Sequence, residues 1–484
     1  MNFRSVFHVV AWLLGVVGLL MGACGLFSYL DGEPAAAWQA LAHASGGSVA
    51  VAAALWAATR NQRELSRRDG LGVVTFGWLA AGMAGAVPYY LSGAAATPAA
   101  AMFESISGMT TTGATVFSHL EGLPRGLLLW RSLTQYVGGM GVLILVVAVL
   151  PFAGAGGMQL YRAEMPGPAK DRIEPRVAST AKMLWGVYVL MTAMLLGILR
   201  GLGMEWFDAL CHALTTMATG GFSTRTASVA AFDSAAIEAT LVVFMLLAGI
   251  NFSLHYRALR GDFSPWWKDG EARFFLGLFA GTALAGTLVL HHARGGGESL
   301  WSAFREVSFS CASVMTTTGF TTGDFDRWPA TLKTMLLLMM FLGGCAGSTA
   351  GGIKVGRIQA LAKAVTREVR LFMQPQAVIP VRMGRKFLDD EILLSIMAFV
   401  ALFLAVAAAG VLAMTPMVPD AQTAVSAVVT CMGNVGPGFA SVGPTANFAS
   451  IPDAGKCVLT LLMLAGRLEL YTVLAVFMPA FWRK

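Results

Sequence analysis

The sequence predicts an all-α polytopic membrane protein in which two transmembrane helices precede four span–short-helix–span pseudo-repeats. Three observations lead there. Of the 484 residues, 56% are hydrophobic and only 13% charged, too little polar surface for a chain of this length in water. Apolar stretches near twenty residues recur along the whole chain, the length needed to cross a hydrocarbon core of about 30 Å, and none shows the alternation of a barrel strand. A related octapeptide occurs four times, which makes internal repetition the organising feature.

Taken in order, segments 6–30 and 36–58 form the N-terminal pair of spans, within 1–70. The first repeat, 71–160, has spans at 71–91 and 126–152 around a short apolar segment at 98–109. The second, 161–262, has spans at 183–203 and 237–254 around 205–217. The third, 263–375, has spans at 273–291 and 331–365 around 301–315. The fourth, 376–484, has spans at 391–414 and 456–480 around 420–432. Each short segment cannot cross a bilayer, yet is too apolar for a free loop; a re-entrant helix fits.

Charge orients this array. Most of the 34 Lys and Arg fall in Arg60–Arg68, Arg162–Lys182, Arg257–Arg273, Lys354–Lys386 and the terminal Arg483-Lys484, whereas the intervening loops hold acids such as Asp31, Glu121, Asp233, Glu298, Asp324 and Asp453. The positive-inside rule therefore predicts a multi-pass inner-membrane protein with both termini cytoplasmic. The net charge of +7 is explained in this way, and nucleic acid is not an expected partner. The six Cys and seven His show no metal or disulfide spacing. Leu20 to Cys24 resembles a lipoprotein cleavage site but reads as ordinary helix in a many-span chain.

The octapeptides are MTTTGATV (109–116), MATGGFST (217–224), MTTTGFTT (315–322) and MGNVGPGF (432–439), each directly after a short segment. All four have Gly at the fifth position: Gly113, Gly221, Gly319 and Gly436. Non-helical backbone at membrane depth is tolerated only where it is buried or lines a cavity. Gly reaches dihedrals other residues avoid, and small hydroxyl residues add polar support. Backbone carbonyls converging on an axis can replace the hydration shell of K⁺, so the short segments are expected to be pore helices around a central pore. Their C-terminal ends would carry partial negative charge toward the cation. A small-residue packing face explains one such cluster, but less readily four in register.

Two features break the fourfold pattern. The eighth span is interrupted by a ten-residue Gly-rich run, Gly343 to Gly352, followed by Lys354; it reads as a flexible loop beneath the filter, although Gly343, Gly347 and Gly351 also suit a packing face. The tenth span carries Arg467 and Glu469 in an apolar setting, and Arg467 is expected to point inward toward carbonyls of that loop. Arg131 and Gln135 in the fourth span read as interface or packing groups.

These motifs, with GGCAGSTAGGIK (343–354) and GRLELYT (466–472), resemble the Trk/Ktr/HKT superfamily of K⁺ transporters over nearly the whole chain. The N-terminal span pair points to its TrkH branch. The resemblance implies K⁺ coordination by Thr111, Thr112, Gly113, Gly220, Gly221, Thr317, Thr318, Gly319, Val435 and Gly436, with Asn434 adjacent. Gly113, where Na⁺-preferring plant relatives have Ser, favours K⁺. It implies a gate at Gly343, Gly344, Gly347, Ser348, Thr349, Gly351, Gly352 and Lys354, with Arg467 beside it; Ala350 stands where the family pattern has Gly. It also implies a homodimer on a cytosolic TrkA-like regulatory ring binding NAD(H) or ATP/ADP. This chain has no G-x-G-x-x-G after a strand, so nucleotide would bind only through that partner. K⁺ is then the transported ion and no cofactor is expected. The alternative is a proton- or sodium-coupled K⁺ symporter. No constellation of His, Asp and Glu supports a membrane-embedded enzyme.

Overall fold

The computed structural model describes residues 1–60, 66–141, 177–297, 299–383 and 386–482. Residues 61–65, the end of the expected fourth span (142–152), the boundary between the first two expected repeats, the basic stretch 162–176, Glu298 and Arg483-Lys484 lie outside them.

The molecule is predominantly helical. It begins with α1 (Phe3–Leu30), α2 (Ala35–Ala58) and α3 (Arg67–Leu91). Gly18, Gly22 and Gly25 of α1 face Ser45, Ser48 and Leu41 of α2 so closely that a methyl group at Gly18 would lie 2.9 Å from Val49. Ser45 Oγ donates to Gly18 O across the gap (2.7 Å), so small residues here permit backbone approach as in membrane helix pairs. Ser66 and Asp69 cap α3 reciprocally, and Asp69 also accepts the Asn2 amide (2.6 Å), tying the two N-terminal ends together.

The first short helix is α4 (Pro98–Met109), followed by α5 (Arg125–Gly139) and α6 (Val177–Gly201). Then come α7 (Trp206–Met217), α8 (Ala235–Ala248), α9 (Phe252–Leu259), α10 (Ser264–Lys268), α11 (Gly270–Ala293) and α12 (Leu300–Met315). The chain continues through α13 (Ala330–Met339), α14 (Val355–Met373), a hairpin pairing β1 (Arg382–Met383) with β2 (Lys386–Phe387), and α15 (Asp390–Met414). It ends with α16 (Ala421–Gly433), α17 (Asp453–Arg467), α18 (Leu470–Phe477) and α19 (Pro479–Trp482).

The short helices α4, α7 and α16 are buried along most of their length, and α12 is buried from Val307 to its end. The long helices leave large apolar side chains such as Leu19, Leu30, Leu404 and Leu412 exposed, as a lipid-facing surface requires. Among the described residues, six helices are long and apolar enough to cross a bilayer: α1, α2, α3, α6, α11 and α15.

Three expected spans differ from continuous helices. The sixth bends by 102° between α8 and α9, and the tenth by 115° between α17 and α18. At the first bend the Gly249 carbonyl accepts the Cys345 amide (2.8 Å) and the Phe252 amide donates to Gly347 O (3.1 Å). The Gly-rich loop thus takes up backbone groups that the broken helix frees. At the second, Glu469 adopts φ +57° and pairs with Arg357 (2.8 Å). The eighth opens fully into residues 340–354 between α13 and α14, as the Gly run predicted.

Candidate functional site

At the end of each short helix the backbone leaves in the same way. The Thr111 and Thr112 amides donate to Gly108 O (2.9 Å) and Ser107 O (2.8 Å). Thr219 and Gly220 donate to Thr216 O and Thr215 O (both 2.9 Å), and Thr317 and Thr318 to Val314 O (3.0 Å) and Ser313 O (2.8 Å). Asn434 and Val435 repeat it on Cys431 O (3.3 Å) and Thr430 O (2.9 Å). This paired bonding is a Schellman ending, whose left-handed residue is usually Gly. Here it is Thr111 (φ +54°), Thr219 (+52°), Thr317 (+56°) and Asn434 (+56°). A β-branched residue in that region is strained, and such strain gathers where function over-determines the backbone.

Two residues further on, Gly113, Gly221, Gly319 and Gly436 also have positive φ, with negative φ between. Alternating the sign of φ turns successive carbonyls toward one side of a chain. The four segments close into a ring. A methyl group on Gly113 would lie 2.2 Å from Gly220 O, one on Gly221 1.9 Å from Thr318 O, one on Gly319 2.1 Å from Val435 O, and one on Gly436 2.7 Å from Thr112 O. Each Gly therefore touches the carbonyl that precedes the Gly of the next segment, and the fourth returns to the first.

Hydroxyls hold three of the segments from behind: Ser107 Oγ donates to Ala114 O (2.6 Å), Ser313 Oγ to Phe320 O (2.7 Å) and Thr430 Oγ1 to Pro437 O (3.1 Å). Asn434 Nδ2 bridges to Thr112 Oγ1 (2.9 Å) and Met463 O (3.1 Å). Among the described residues, the buried Thr111 Oγ1 and Asn434 Oδ1 have no hydrogen-bond partner. Unpaired buried oxygens are costly, and these two lie beside the ring.

On one side the ring opens to a vestibule of about 80 Å³ lined by Gly113, Gly221, Gly319, Gly436, Arg225 and Asn447. Arg225 there pairs with Asp208 (2.7 Å). Partial burial opposes ionisation of nearby Glu121, but the Thr226 hydroxyl and amide hold its carboxyl below the usual range.

On the opposite side lies the Gly-rich loop. It doubles back on itself, with Gly343 against Gly351 and Gly352. Gly351 N donates to Thr317 Oγ1 (2.7 Å), and Thr349 Oγ1 donates to Met217 O (3.1 Å). Lys354 Nζ donates to Ala350 O (2.8 Å), and Arg467 spans from Thr349 O (2.7 Å) to Gly138 O and Gly139 O (2.8 and 2.9 Å). Glu271 accepts the amides at both ends, Ala346 (2.8 Å) and Gly356 (2.9 Å). Two cationic side chains thus hold consecutive loop carbonyls, and Arg467 ties the loop to the C-terminal end of α5.

A family model for the TrkH cation transport proteins matches residues 38–484. The chain belongs to the TrkH family. The Trk system potassium uptake protein TrkH of Salmonella typhimurium is 40% identical over 492 residues, covering all of both chains. The Trk system potassium uptake protein TrkG of Escherichia coli is 37% identical over 424 residues, 87% of this chain and 86% of that one. Among solved structures, the potassium transporter TrkH from Vibrio parahaemolyticus superimposes with a TM-score of 0.89 at 36% identity, covering both chains fully. The TrkH family is one of membrane transporters, not of enzymes.

In this TrkH-family chain the ring gathers Thr111, Thr112, Gly113, Gly220, Gly221, Thr317, Thr318, Gly319, Asn434, Val435 and Gly436. Gly343, Gly344, Gly347, Ser348, Thr349, Gly351, Gly352, Lys354 and Arg467 lie together on its loop side. Arg131 and Gln135 are more than packing groups. Arg131 is fully buried and pairs with Glu104 (2.8 Å), donates to Ser223 O (3.1 Å) and covers the Phe222 ring (4.0 Å). Gln135 Nε2 donates to Gly220 O (2.5 Å) and Oε1 accepts the Phe222 amide (3.0 Å). The available sequence signal was their four-residue spacing, which puts both on one helix face, and the lone acid Glu104 in an apolar segment.

Proposed function

We propose that this chain takes up K⁺ across the bacterial inner membrane through a selectivity filter formed by residues 111–113, 220–221, 317–319 and 434–436. The observation that carries this reading is the closed ring of four buried segments, each with alternating sign of φ and a Gly against its neighbour's carbonyl. Such a ring offers carbonyl oxygens in place of water, which is how desolvated K⁺ is held. The potassium uptake named for the relatives supports the choice of ion. In this reading the four pseudo-repeats are 71–160, 161–262, 263–375 and 376–484, their eight spans surround the pore, two further spans precede them, and both termini are cytoplasmic.

Residues 343–354 and Arg467 act as the intramembrane gate. Lys354 and Arg467 bring positive charge to the inner end of the ring, where it opposes a cation, and their bonds hold the loop in place. Control comes from a cytosolic nucleotide-binding ring on which a homodimer assembles. The basic, amphipathic α14, with Arg367, Arg370 and the exposed Phe372, suits that side.

Two experiments test this. Gly113→Ser, whose Cβ would lie 2.2 Å from Gly220 O, is expected to lower uptake as well as discrimination against Na⁺, read as tracer Rb⁺ and Na⁺ uptake into proteoliposomes; unchanged uptake and selectivity would count against the filter assignment. Arg467→Ala, or shortening of 343–352, is expected to raise basal flux by about tenfold or more without a regulatory partner, since loss of one charge-assisted contact is worth about 1.5–3 kcal/mol. Unaltered flux in both variants would remove the gate. Repeating the flux with and without a pH gradient separates passive from proton-coupled transport.

A further inference from the structure

The four ring carbonyls that face a neighbouring Gly are those of Thr112, Gly220, Thr318 and Val435. Among the described residues, only the Gly220 carbonyl accepts a side-chain hydrogen bond. Gln135 Nε2 lies 2.5 Å from it, while Gln135 Oε1 accepts the Phe222 amide at 3.0 Å. One primary amide therefore holds the backbone on both sides of Gly221, and Gln135 is fully buried. Where the other three segments are braced by a hydroxyl of their own short helix, the second is not: Thr215 Oγ1 bonds back to Cys211 O (3.0 Å). Arg131, one turn earlier on α5, covers the Phe222 ring and fixes the residue whose amide Gln135 accepts.

A carbonyl that already accepts an N–H has part of its lone-pair density committed, and it cannot swing inward to follow a smaller ion. We propose that Gln135 is a specificity-determining positioning residue, which stiffens the Gly220 quarter of the carbonyl ring and makes it a weaker ion ligand than the other three. This rests on the filter reading above. It predicts that freeing Gly220 O lets the ring contract around Na⁺.

The test uses the full-length protein in proteoliposomes with Gln135→Met, which keeps the reach and volume without the amide. Gln135→Leu, which also lacks a donor, serves as a second variant, and Gly113→Ser as a control in the same assay. Either Gln135 variant is expected to lower the K⁺/Na⁺ permeability ratio about fivefold with K⁺ flux within about twofold, the scale of one net hydrogen bond. A second readout is the concentration of K⁺ and of Na⁺ that half-maximally raises the unfolding temperature of the purified protein, where the gap between the two ions should narrow. If Gly113→Ser shifts the ratio and neither Gln135 variant does, the assignment is overturned and the filter stands. If none of the three shifts it, the filter reading fails and takes the assignment with it. A lowered unfolding temperature with an unchanged gap between the two ions makes Gln135 merely structural and also overturns the proposal.

Discussion

Gly221→Ala is expected to reduce tracer Rb⁺ uptake to background. Its methyl group would lie 1.9 Å from Thr318 O and 2.9 Å from Thr318 C, both backbone atoms of the adjacent segment, so no side-chain rotation relieves the clash. The φ of +74° adds the left-handed penalty of about 1–2 kcal/mol for an L-residue. Gly93→Ala separates the two effects. Gly93 has almost the same φ, +75°, with nothing within 4 Å of the added methyl. It should lose only the backbone penalty, seen as a few degrees in unfolding temperature, and keep its uptake. Equal uptake by the two variants would show that the ring needs no close approach at Gly221.

Glu104→Ala is expected to cost about 3–5 kcal/mol and to leave little folded protein, because it strands Arg131 as an uncompensated buried charge. Both side chains are 1% exposed or less. Glu104 also accepts the Val116 amide (2.9 Å) and the Thr115 hydroxyl (3.0 Å), so the backbone just past Gly113 loses its anchor too. Replacing both partners, as Glu104→Met with Arg131→Met, should recover much of the lost stability, since an apolar pair of similar size avoids the desolvation cost. Thermal unfolding of the single and double variants measures this. A double variant as unstable as the single one would mean that the bonds to Thr115, Val116 and Ser223, rather than the charge, are what the fold needs.

The four short helices, the Gly at each fifth position and the interrupted eighth span were all legible because each is local. Their cues are a length, a run of apolar residues, or a density of Gly, and they survive whatever the rest of the chain does. The inward direction of Arg467 was legible for a similar reason: a charge in an apolar helix has few satisfactory places to go. The bends at Asn251 and Glu469 were not, since a polar or charged residue in an apolar stretch does not by itself break a helix. Those helices break because distant groups take over the freed backbone and side chains: Cys345 and Gly347 at the first bend, Arg357 at the second.

The roles of Arg131 and Gln135 were hidden for the same reason. Arg131 meets Glu104, 27 residues away, and Gln135 meets Gly220, 85 residues away. Nothing in their own neighbourhood distinguishes them from packing groups. Hydropathy, repetition and Gly placement, all properties of short stretches, were enough to specify a helical membrane protein with four matching re-entrant candidates. Their residues already differ after the Gly (Ala114, Phe222, Phe320 and Pro437), but how each is braced was settled only when the chain folded. Hydroxyls of their own short helices brace three of them, but the second is braced by a side chain from α5. The hydroxyl braces span only seven residues, whereas the Gln135 bonds span 85 and 87 and form only once α5 lies beside the second segment.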